Sequence, residues 1–549
     1  MAKYSAEELN SLSSGQLVSM VLSLQDQVEK MNHNFEALIE QIRLADQQRF
    51  GRHTERLDEI SGQMSLFNEV EAYADDSGPE PSAEEVICTS GKKKKTGKRE
   101  EDFKDLPHEE HSHLLSDEQL DEHFGRGCWR RMKQEKFIRV RCQPSVYTVE
   151  NHTVDVAVGT GGDHQDEFLR GDRPADLLRN SILTPSLMAA IYNSKYLNHQ
   201  PLYRIENQFR MDGVNISRQT MANWCIRVAQ KYLDPLYERL REELLKRPVT
   251  QADETPVQVI HDNDPEDPSD HKGAAGHKNW MWVHRTSELD TSPPIILYEY
   301  QRTRHHKHPL EYYRNYKGIV MTDGLQQYHM LEDLLDGFIN ANCWTHARRM
   351  YADAVKAIGK NSPDAVRKSL AFQALARIGA IFDMEGKLKN LSPEERLRER
   401  KKAVEPLVDE YFAWIKQKLS DTGSLPRGKT AEGMNYSIHQ EKYLRVFLTD
   451  PLVPVDNSAS ERSIRPFTVG RKNWVLIDSV NGAKASAVVY SVVETARQNG
   501  LNCYRYFEHL LTELPELADE NENIDSGRLD PLLPWSDKLP ELCRAPRRR

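Results

Sequence analysis

Lys317–Leu331 reads KGIVMTDGLQQYHML. Gly318–Met321 is a short apolar run of strand character, and it ends on an acid, Asp323, followed by Gly324 and then a helical stretch. Upstream, PVTQADETPVQVI (248–260) is a second apolar strand, interrupted by Asp253 and Glu254. NWMWVHRT (279–286) and PIILYEY (294–300) are two more strand-like runs, and FINANCWTHARRMY (338–351) is a further strand passing into a helix. Far downstream, PVDNSASERSIRPFTVGRKNWVL (454–476) places Glu461 on a helix that begins near Asp456–Asn457. An acid at the end of a buried strand is costly unless it is solvated, paired or holding a metal. Two such acids suggest a shared site at one edge of a sheet, which a third carboxylate from a late helix can complete. Three hard oxygen ligands with open positions suit Mg²⁺ or Mn²⁺. Two such ions about 4 Å apart serve phosphodiester chemistry, with water or a DNA 3′-hydroxyl as the nucleophile. Each acid alone has a plainer reading: Asp253–Glu254 as a turn pair, Asp323 as an ordinary strand-to-helix turn, Glu461 as a surface ion pair with Arg462.

Between these strands and the N-terminus lies a helical region. LTPSLMAAIYNSKYL (183–197) has Pro185 where a helix start tolerates it. PLYRIENQFRMDG (201–213) is stopped by Gly213, and ISRQTMANWCIRVAQKYL (216–233) starts with a Ser cap at Ser217. Two helices around a glycine turn resemble a helix-turn-helix. Arg218, Gln219 and Asn223 suit contacts to base edges, and Trp224 suits the core between the helices. Plain helix packing gives the same pattern.

The chain has 549 residues, 38% hydrophobic and 29% charged, which is the balance of a multidomain soluble protein. No apolar run approaches the length of a membrane span, and MAKYSAEELN lacks the features of a signal peptide. Seven scattered cysteines without a C-x-x-C pair point to a reducing cytoplasm. The formal net charge of −10 weighs against a nucleic-acid partner on average, but the distribution is uneven. Residues 341–430 carry 18 Lys+Arg against 11 Asp+Glu, an excess of +7 that suits a phosphate track. Leu17, Val21, Leu24, Val28, Met31, Phe35, Leu38 and Ile42 keep a heptad seam, so the N-terminus reads as a dimerising coiled coil, with an amphipathic helix as the alternative. DDSGPEPSAEE (75–85) and KKKKTGKRE (92–100) cannot bury a core and read as a linker. KFIRVRCQPSVYTVENHTVDVAV (136–158) alternates like two short antiparallel strands. Cys128 and Cys142, with His108, His111 and His113 upstream, do not make the paired close spacing of a tetrahedral zinc site.

These blocks together resemble the insertion-sequence sixty-six family of transposases. FGRHTERL (50–57), PLYRIENQFRMDGVNISRQTMANW, ADETPVQV, TDGLQQY, CWTHARRMY and DNSASERSIRPFTVGRKNWVLIDSVNGAKASAVVYSVVETARQNGLN carry the likeness in order, and 181–511 is covered well. The resemblance implies a DDE-type recombinase with an RNase H-like core, in which Asp253, Asp323 and Glu461 are the catalytic, metal-holding acids. It implies Mg²⁺ or Mn²⁺, two ions, as cofactor. Implied partners are DNA, both the element's terminal inverted repeats and target DNA, and small accessory proteins of the same element. A bacterial, nucleoid-associated location follows. His346, Arg348 and Arg349, and Arg462, Arg465, Arg471, Lys472 and Asn473 around Glu461, are read as DNA-backbone contacts, because an Arg fork matches phosphate oxygens. Members of this family commonly carry a zinc-ribbon-like module with two C-x-x-C pairs. Only Cys128 and Cys142 remain here, so zinc is not expected.

The fold expected is therefore multidomain α+β. It comprises an N-terminal coiled coil (10–57), a disordered linker (58–106) and a small β-hairpin module, zinc-ribbon-like without the full cysteine set (107–160). A helix-turn-helix region (161–247) precedes an RNase H-like α/β catalytic core (248–350 and 451–498), interrupted by an all-helical insertion (351–450) and followed by a C-terminal segment (499–549). Oligomerisation as a homodimer or higher is expected through the coiled coil. Two other functions fit the same residues: a metal-dependent nuclease or resolvase that cuts without joining, and a non-catalytic dimeric DNA-binding regulator whose acids are structural.

Overall fold

A computed structural model describes residues 13–23, 25, 27, 116–124, 126, 130, 146–158, 168–170, 176–262, 278–358, 363–421, 426, 428–519 and 522–546. The chain divides into two compact units. The smaller, 64–151, contributes α1 (Asp117–Phe124), whose start is capped by the Ser116 hydroxyl accepting from Gln119 N at 3.2 Å. The linker stretch, Cys128, Cys142 and the upstream histidines lie outside the described residues. In the larger unit, residues 14–23 are helical with Val18, Val21 and Leu22 exposed, and the heptad seam from Leu24 onward lies outside the described residues.

The expected hairpin within 136–158 is only partly within view. Residues 146–155 form no strand, and β1 (Val156–Val158) pairs antiparallel with β2 (Phe168–Arg170), past the expected end of that module at residue 160. Then come α2 (Pro185–Tyr192), α3 (Leu202–Met211), α4 (Arg218–Val228) and α5 (Asp234–Leu245). Thr184 Oγ1 accepts from Leu187 N and Pro185 takes the first turn, where its missing N–H costs nothing. Gly213 turns the chain at φ +82°, a region an L side chain resists, and Ser217 Oγ caps α4 through Thr220 N at 3.1 Å. Trp224 is buried, as its place between helices requires. A π-helical turn at Ala229–Leu233 joins α4 to α5 without a break.

The sheet follows: β3 (Val249–Val257), β4 (Val259–His261), β5 (Asn279–Thr286), β6 (Ile296–Gln301), α6 (Lys307–Tyr312), β7 (Gly318–Thr322), α7 (Gln326–Leu334) and β8 (Phe338–Asn342). Five strands lie in the order β6-β5-β3-β7-β8, with β6, β5 and β3 antiparallel and β3, β7 and β8 parallel. All five runs named from sequence are its members. Pleating sends Val249, Ile319, Met321 and Ala341 to a core with Trp344 and Tyr351, while Ala252, Trp282, Val320 and Phe338 meet Tyr312, Tyr313 and Tyr328 on the opposite face. Covering on both faces explains why these strands read as near-continuous apolar runs.

Next come α8 (Trp344–Ile358), α9 (Pro363–Lys368), α10 (Leu370–Leu388), α11 (Pro393–Glu399), α12 (Glu405–Ser420), α13 (Gly428–His439) and α14 (Glu441–Leu444). This stretch is helical throughout its described length. Arg400, fully buried, donates to Glu385 and to the carbonyls of Phe447 and Asp450 at 2.7 and 2.9 Å. Arg396 donates to Pro451 O at 2.9 Å. These two arginines thus fasten the segment that returns to the sheet. A charge buried this deeply persists because all three guanidinium nitrogens are engaged and a carboxylate faces it.

The chain ends with α15 (Ser458–Trp474), β9 (Ile477–Ser479, parallel to β4), α16 (Val480–Gln498) and α17 (Cys503–Leu517). α16 lies along edge strand β6. Thr495 Oγ1 accepts from Ile296 N and donates to its carbonyl, and Ser491 Oγ accepts from Tyr298 N at 2.7 Å. Hydroxyls of a small-residue helix face thereby pair the edge groups a sheet otherwise leaves open. No helix among the described residues is long and apolar enough to cross a membrane.

Candidate active site

Three elements converge on one edge of the sheet. In the parallel pairing of β3 and β7, Gln251 stands opposite Met321. Two residues further on, Asp253 and Asp323 share the sheet face of Val249 and Ile319, because side chains repeat every second residue. Asp323 Oδ1 accepts from Leu325 N at 3.0 Å, and Gly324 turns the chain at φ +88°. A Cβ at Gly324 would stand 2.6 Å from the Tyr436 hydroxyl, so this turn admits no larger residue.

Glu461 arrives on the first turn of α15, and Asn457 at its N-cap sets the position of that turn. Asn457 is buried. Its Nδ2 donates to Ala252 O at 2.8 Å, its Oδ1 accepts from Gln251 Nε2 at 3.1 Å, and its N–H points at Cys343 Sγ at 3.2 Å. The helix start is thereby tied to β3 one residue before Asp253 and to the end of β8. Buried Arg285 on β5 holds the next turn through Ala459 O at 2.9 Å and Ser463 Oγ at 3.0 Å. Burial pulls its guanidinium down to about 10. Arg349 on α8 pairs with Glu461 at 3.6 Å and approaches His346 Nε2 at 3.3 Å.

The carboxyls feel one another. Burial first, then Glu254, then Asp323, with Glu461 as well, push Asp253 well above the usual carboxylate range. Glu254 is pushed up to about 7 by burial and by Asp323, against the pull of Arg304. Arg304 Nε donates to Glu254 Oε1 at 2.7 Å, and its Nη2, which also meets Glu254, lies 3.9 Å from Asp323 Oδ2. Glu254 Oε2 is buried without a hydrogen-bond partner.

Such a cluster fits a hard divalent cation, because positive charge relieves the burial and the neighbouring carboxyls that raise Asp253. Asp253, Asp323 and Glu461 are the candidates to hold it, since Glu254 is engaged by Arg304. Among the described residues, no three His, Cys, Asp or Glu side chains already stand arranged around one ion position.

A stability prediction follows. A carboxyl whose folded pKa is raised favours the native state below its unfolded range and loses that contribution as pH rises through the folded value. For Glu254 the window runs from 4.5 to about 7. Asp253→Asn is expected to raise metal-free stability at pH 8 by about 1–3 kcal/mol, and to do much less at pH 4. Mg²⁺ is expected to stabilise the wild type and close this gap, because it binds the folded cluster only. Thermal melts at both pH values, with and without Mg²⁺, measure this. A variant less stable than wild type in metal-free buffer at pH 8 would contradict it.

The other sequence-derived candidates lie in separate places. Arg218, Gln219 and Asn223 are exposed on one side of α4, with the Arg218 guanidinium 5.8 Å from the Tyr203 ring. Arg348 and His346 are half-buried on α8. Arg462 is exposed and pairs with Glu288 at 2.8 Å, while Arg465, Lys472 and Asn473 are exposed along α15. Arg471 differs from the expected phosphate contact: its Nη1 donates to Pro256 O and to Thr255 Oγ1, so it ties α15 to β3. Sequence reading missed Arg304, Asn457 as an anchor and Arg285. Only Arg304 left a signal, the basic run RTRHHKH (302–308) following a strand.

The family model described as "Transposase IS66 family" matches residues 180–485, more than half of the chain. "IS66 C-terminal element" matches 491–535, and "Transposase C of IS166 homeodomain" matches 37–110. Two uncharacterized proteins of Sinorhizobium fredii (strain NBRC 101917 / NGR234) are similar. One, y4qI, is 27% identical over 68% of this chain and 66% of its own length. The other, y4hP, is 27% identical over 64% and 62%. The chain thus spans just under two thirds of the length of these relatives. A chain of the Mos1 strand transfer complex aligns at 12% identity over 40% of this chain and 81% of its own length, with a TM-score of 0.13, too low for a strand-by-strand comparison.

Proposed function

The chain belongs to the IS66 family of transposases, and on that premise we propose that it cuts DNA at the ends of its own element and joins those ends to target DNA. The observation that carries this reading is that Asp323 and Glu461 both stand close enough to Asp253 to raise its carboxyl, a juxtaposition supported by strand register and by the Asn457 anchor. We read the sheet, antiparallel on one side of β3 and parallel on the other, as an RNase H-like core.

Asp253, Asp323 and Glu461 would hold Mg²⁺ or Mn²⁺. When bound, such ions supply charge neutralisation at the phosphoryl group and at both the attacking and leaving oxygens. The chain's own residues orient the strand. Arg349 and Arg304 stand beside Glu461 and Asp323, where guanidinium forks match phosphate oxygens. In the first reaction a water oxygen bonds to phosphorus and the 3′-oxygen leaves as a hydroxyl. In the second, that hydroxyl attacks a target phosphorus and displaces the target's own 3′-oxygen. No covalent protein intermediate is needed. Exposed Arg218, Gln219 and Asn223 on α4 supply recognition of the ends. A coiled coil over 10–57 pairs two chains, and small accessory proteins of the element complete the assembly.

The test is incubation of the protein with DNA bearing the element's ends, a target plasmid, and Mg²⁺ or Mn²⁺. Cut and joined products are expected. Cutting without joining would assign a nuclease or resolvase instead. End binding with neither reaction, even after the companion proteins are added, would assign a regulator.

A further inference from the structure

Beside Asp323 the surface dips into a pocket that the cluster of acids does not use. One wall is the loop after β6, with Arg304, His305 and His306; the other is α7, with Gln326, Gln327 and Met330. We propose that this pocket receives the nucleotide adjacent to the scissile phosphate, with Arg304 on its phosphate and the base lodged against α7. The proposal rests on the phosphodiester-cutting reading above.

Four observations meet here. Arg304 is fixed on three sides: by Glu254 through Nε and Nη2, by Asp323 at 3.9 Å, and by the Trp280 ring, 4.7 Å below the guanidinium carbon. Its side chain is nevertheless 34% exposed, and among the described residues its Nη1 has no hydrogen-bond partner. An arginine serving only to neutralise the acids would have no reason to keep one edge open. A guanidinium oriented in advance loses little freedom on meeting a phosphate.

Second, the loop is basic where the sheet edge is acidic. Arg304, His305 and His306 line the pocket, while Asp253, Asp323 and Glu461 lie on its other side. Acids for the cation beside cations for the phosphates is the charge order a polyanion undergoing phosphoryl transfer requires.

Third, Gln327 Oε1 is buried without a hydrogen-bond partner. An acceptor left in that state is costly unless a ligand supplies the donor. The exocyclic amine or ring N–H of a base is such a donor.

Fourth, the surfaces offered to a base are flat or soft. The His305 and His306 rings lie 4.2 Å apart, and Met330 is 39% exposed. Imidazole stacks on unpaired bases, and a thioether adapts to them. A base held here must leave its stack, so the flanking pair is opened on binding. Unstacking costs a few kcal/mol and is cheapest at a mismatch.

The test uses the full chain and end DNA carrying 2-aminopurine, one position at a time, within two nucleotides either side of the cut, with Ca²⁺ in place of the catalytic ion. Emission is expected to rise severalfold at one flanking position when wild-type protein binds. Gln327→Ala and Met330→Ala are expected to lose that rise at protein concentrations where anisotropy shows the end to be fully bound. Both side chains are partly exposed, so truncation spares the fold. Unchanged emission at every position, or an equal rise with both variants, would overturn the subsite. If Mg²⁺-dependent cutting that Asp323→Asn abolishes is seen alongside that outcome, the subsite alone falls. If no such cutting occurs even with the companion proteins added, the reading beneath it falls as well.

Discussion

Asp323→Asn is expected to lower end cutting by roughly 10³-fold or more, a barrier change of about 4 kcal/mol, while binding of the ends stays near wild type. The substitution is nearly isosteric. Asn can still accept the Leu325 N–H that Asp323 Oδ1 accepts at 3.0 Å, so the turn into α7 survives. What disappears is a negative charge at the point where strand-borne acids meet. The exposed face of α4 lies on a different element and is untouched, so binding is the internal control. Single-turnover cutting beside a gel-shift titration separates the two. Cutting within about tenfold of wild type would remove Asp323 from the chemistry.

The second large effect belongs to a residue that touches no substrate. Asn457→Ala deletes the donor to Ala252 O and the acceptor for Gln251 Nε2, both buried. Two lost hydrogen bonds and an unpaired carbonyl together cost about 2–4 kcal/mol. More tellingly, the first turn of α15 loses its tie to β3, and Glu461 loses its registration against Asp253. A displacement near 1 Å is enough for about a 10²-fold loss of rate. The half-saturating Mg²⁺ concentration is expected to rise with it, which simple destabilisation would not cause. Asn457→Asp is expected to fail equally, because a carboxylate cannot donate to Ala252 O and adds charge to a crowded site. A variant that melts earlier but keeps the wild-type metal requirement would show that Asn457 serves stability alone.

How far the sequence revealed this site follows from the distances involved. Each of the five sheet strands was visible as a local apolar run, because burial on both faces marks a strand in its own residues. The Ser217 cap and the Gly213 turn were visible for the same reason: their signals lie within a few positions. Asp253 could be placed within a strand, Asp323 just past one, and Glu461 near a helix start. That they form one cluster depends on contacts spanning about two hundred residues, such as Asn457 with Ala252. No spacing rule reaches that far. Arg304 was hidden for a different reason. Its partner Glu254 looked like half of a turn pair, whereas it sits on the opposite sheet face from Asp253 and turns to the loop after β6. Arg471 looked like a phosphate contact because it lies among the basic residues that surround Glu461, yet it binds the β3 backbone. The edge of β6 covered by Ser491 and Thr495 was equally invisible, since an isolated hydroxyl on a helix reads as surface.

Asp253, Asp323 and Glu461 are expected to hold the same metal. Iron-directed cleavage tests it without DNA or companion proteins. Fe²⁺ exchanged into the site, with ascorbate and peroxide, generates hydroxyl radicals that cut nearby backbone. Cuts are expected to cluster near residues 253, 323 and 461 of one chain, to be suppressed by excess Mg²⁺ and to be absent in Asp323→Asn. Cuts at only one of these positions, or a pattern that Asp323→Asn leaves unchanged, would contradict it.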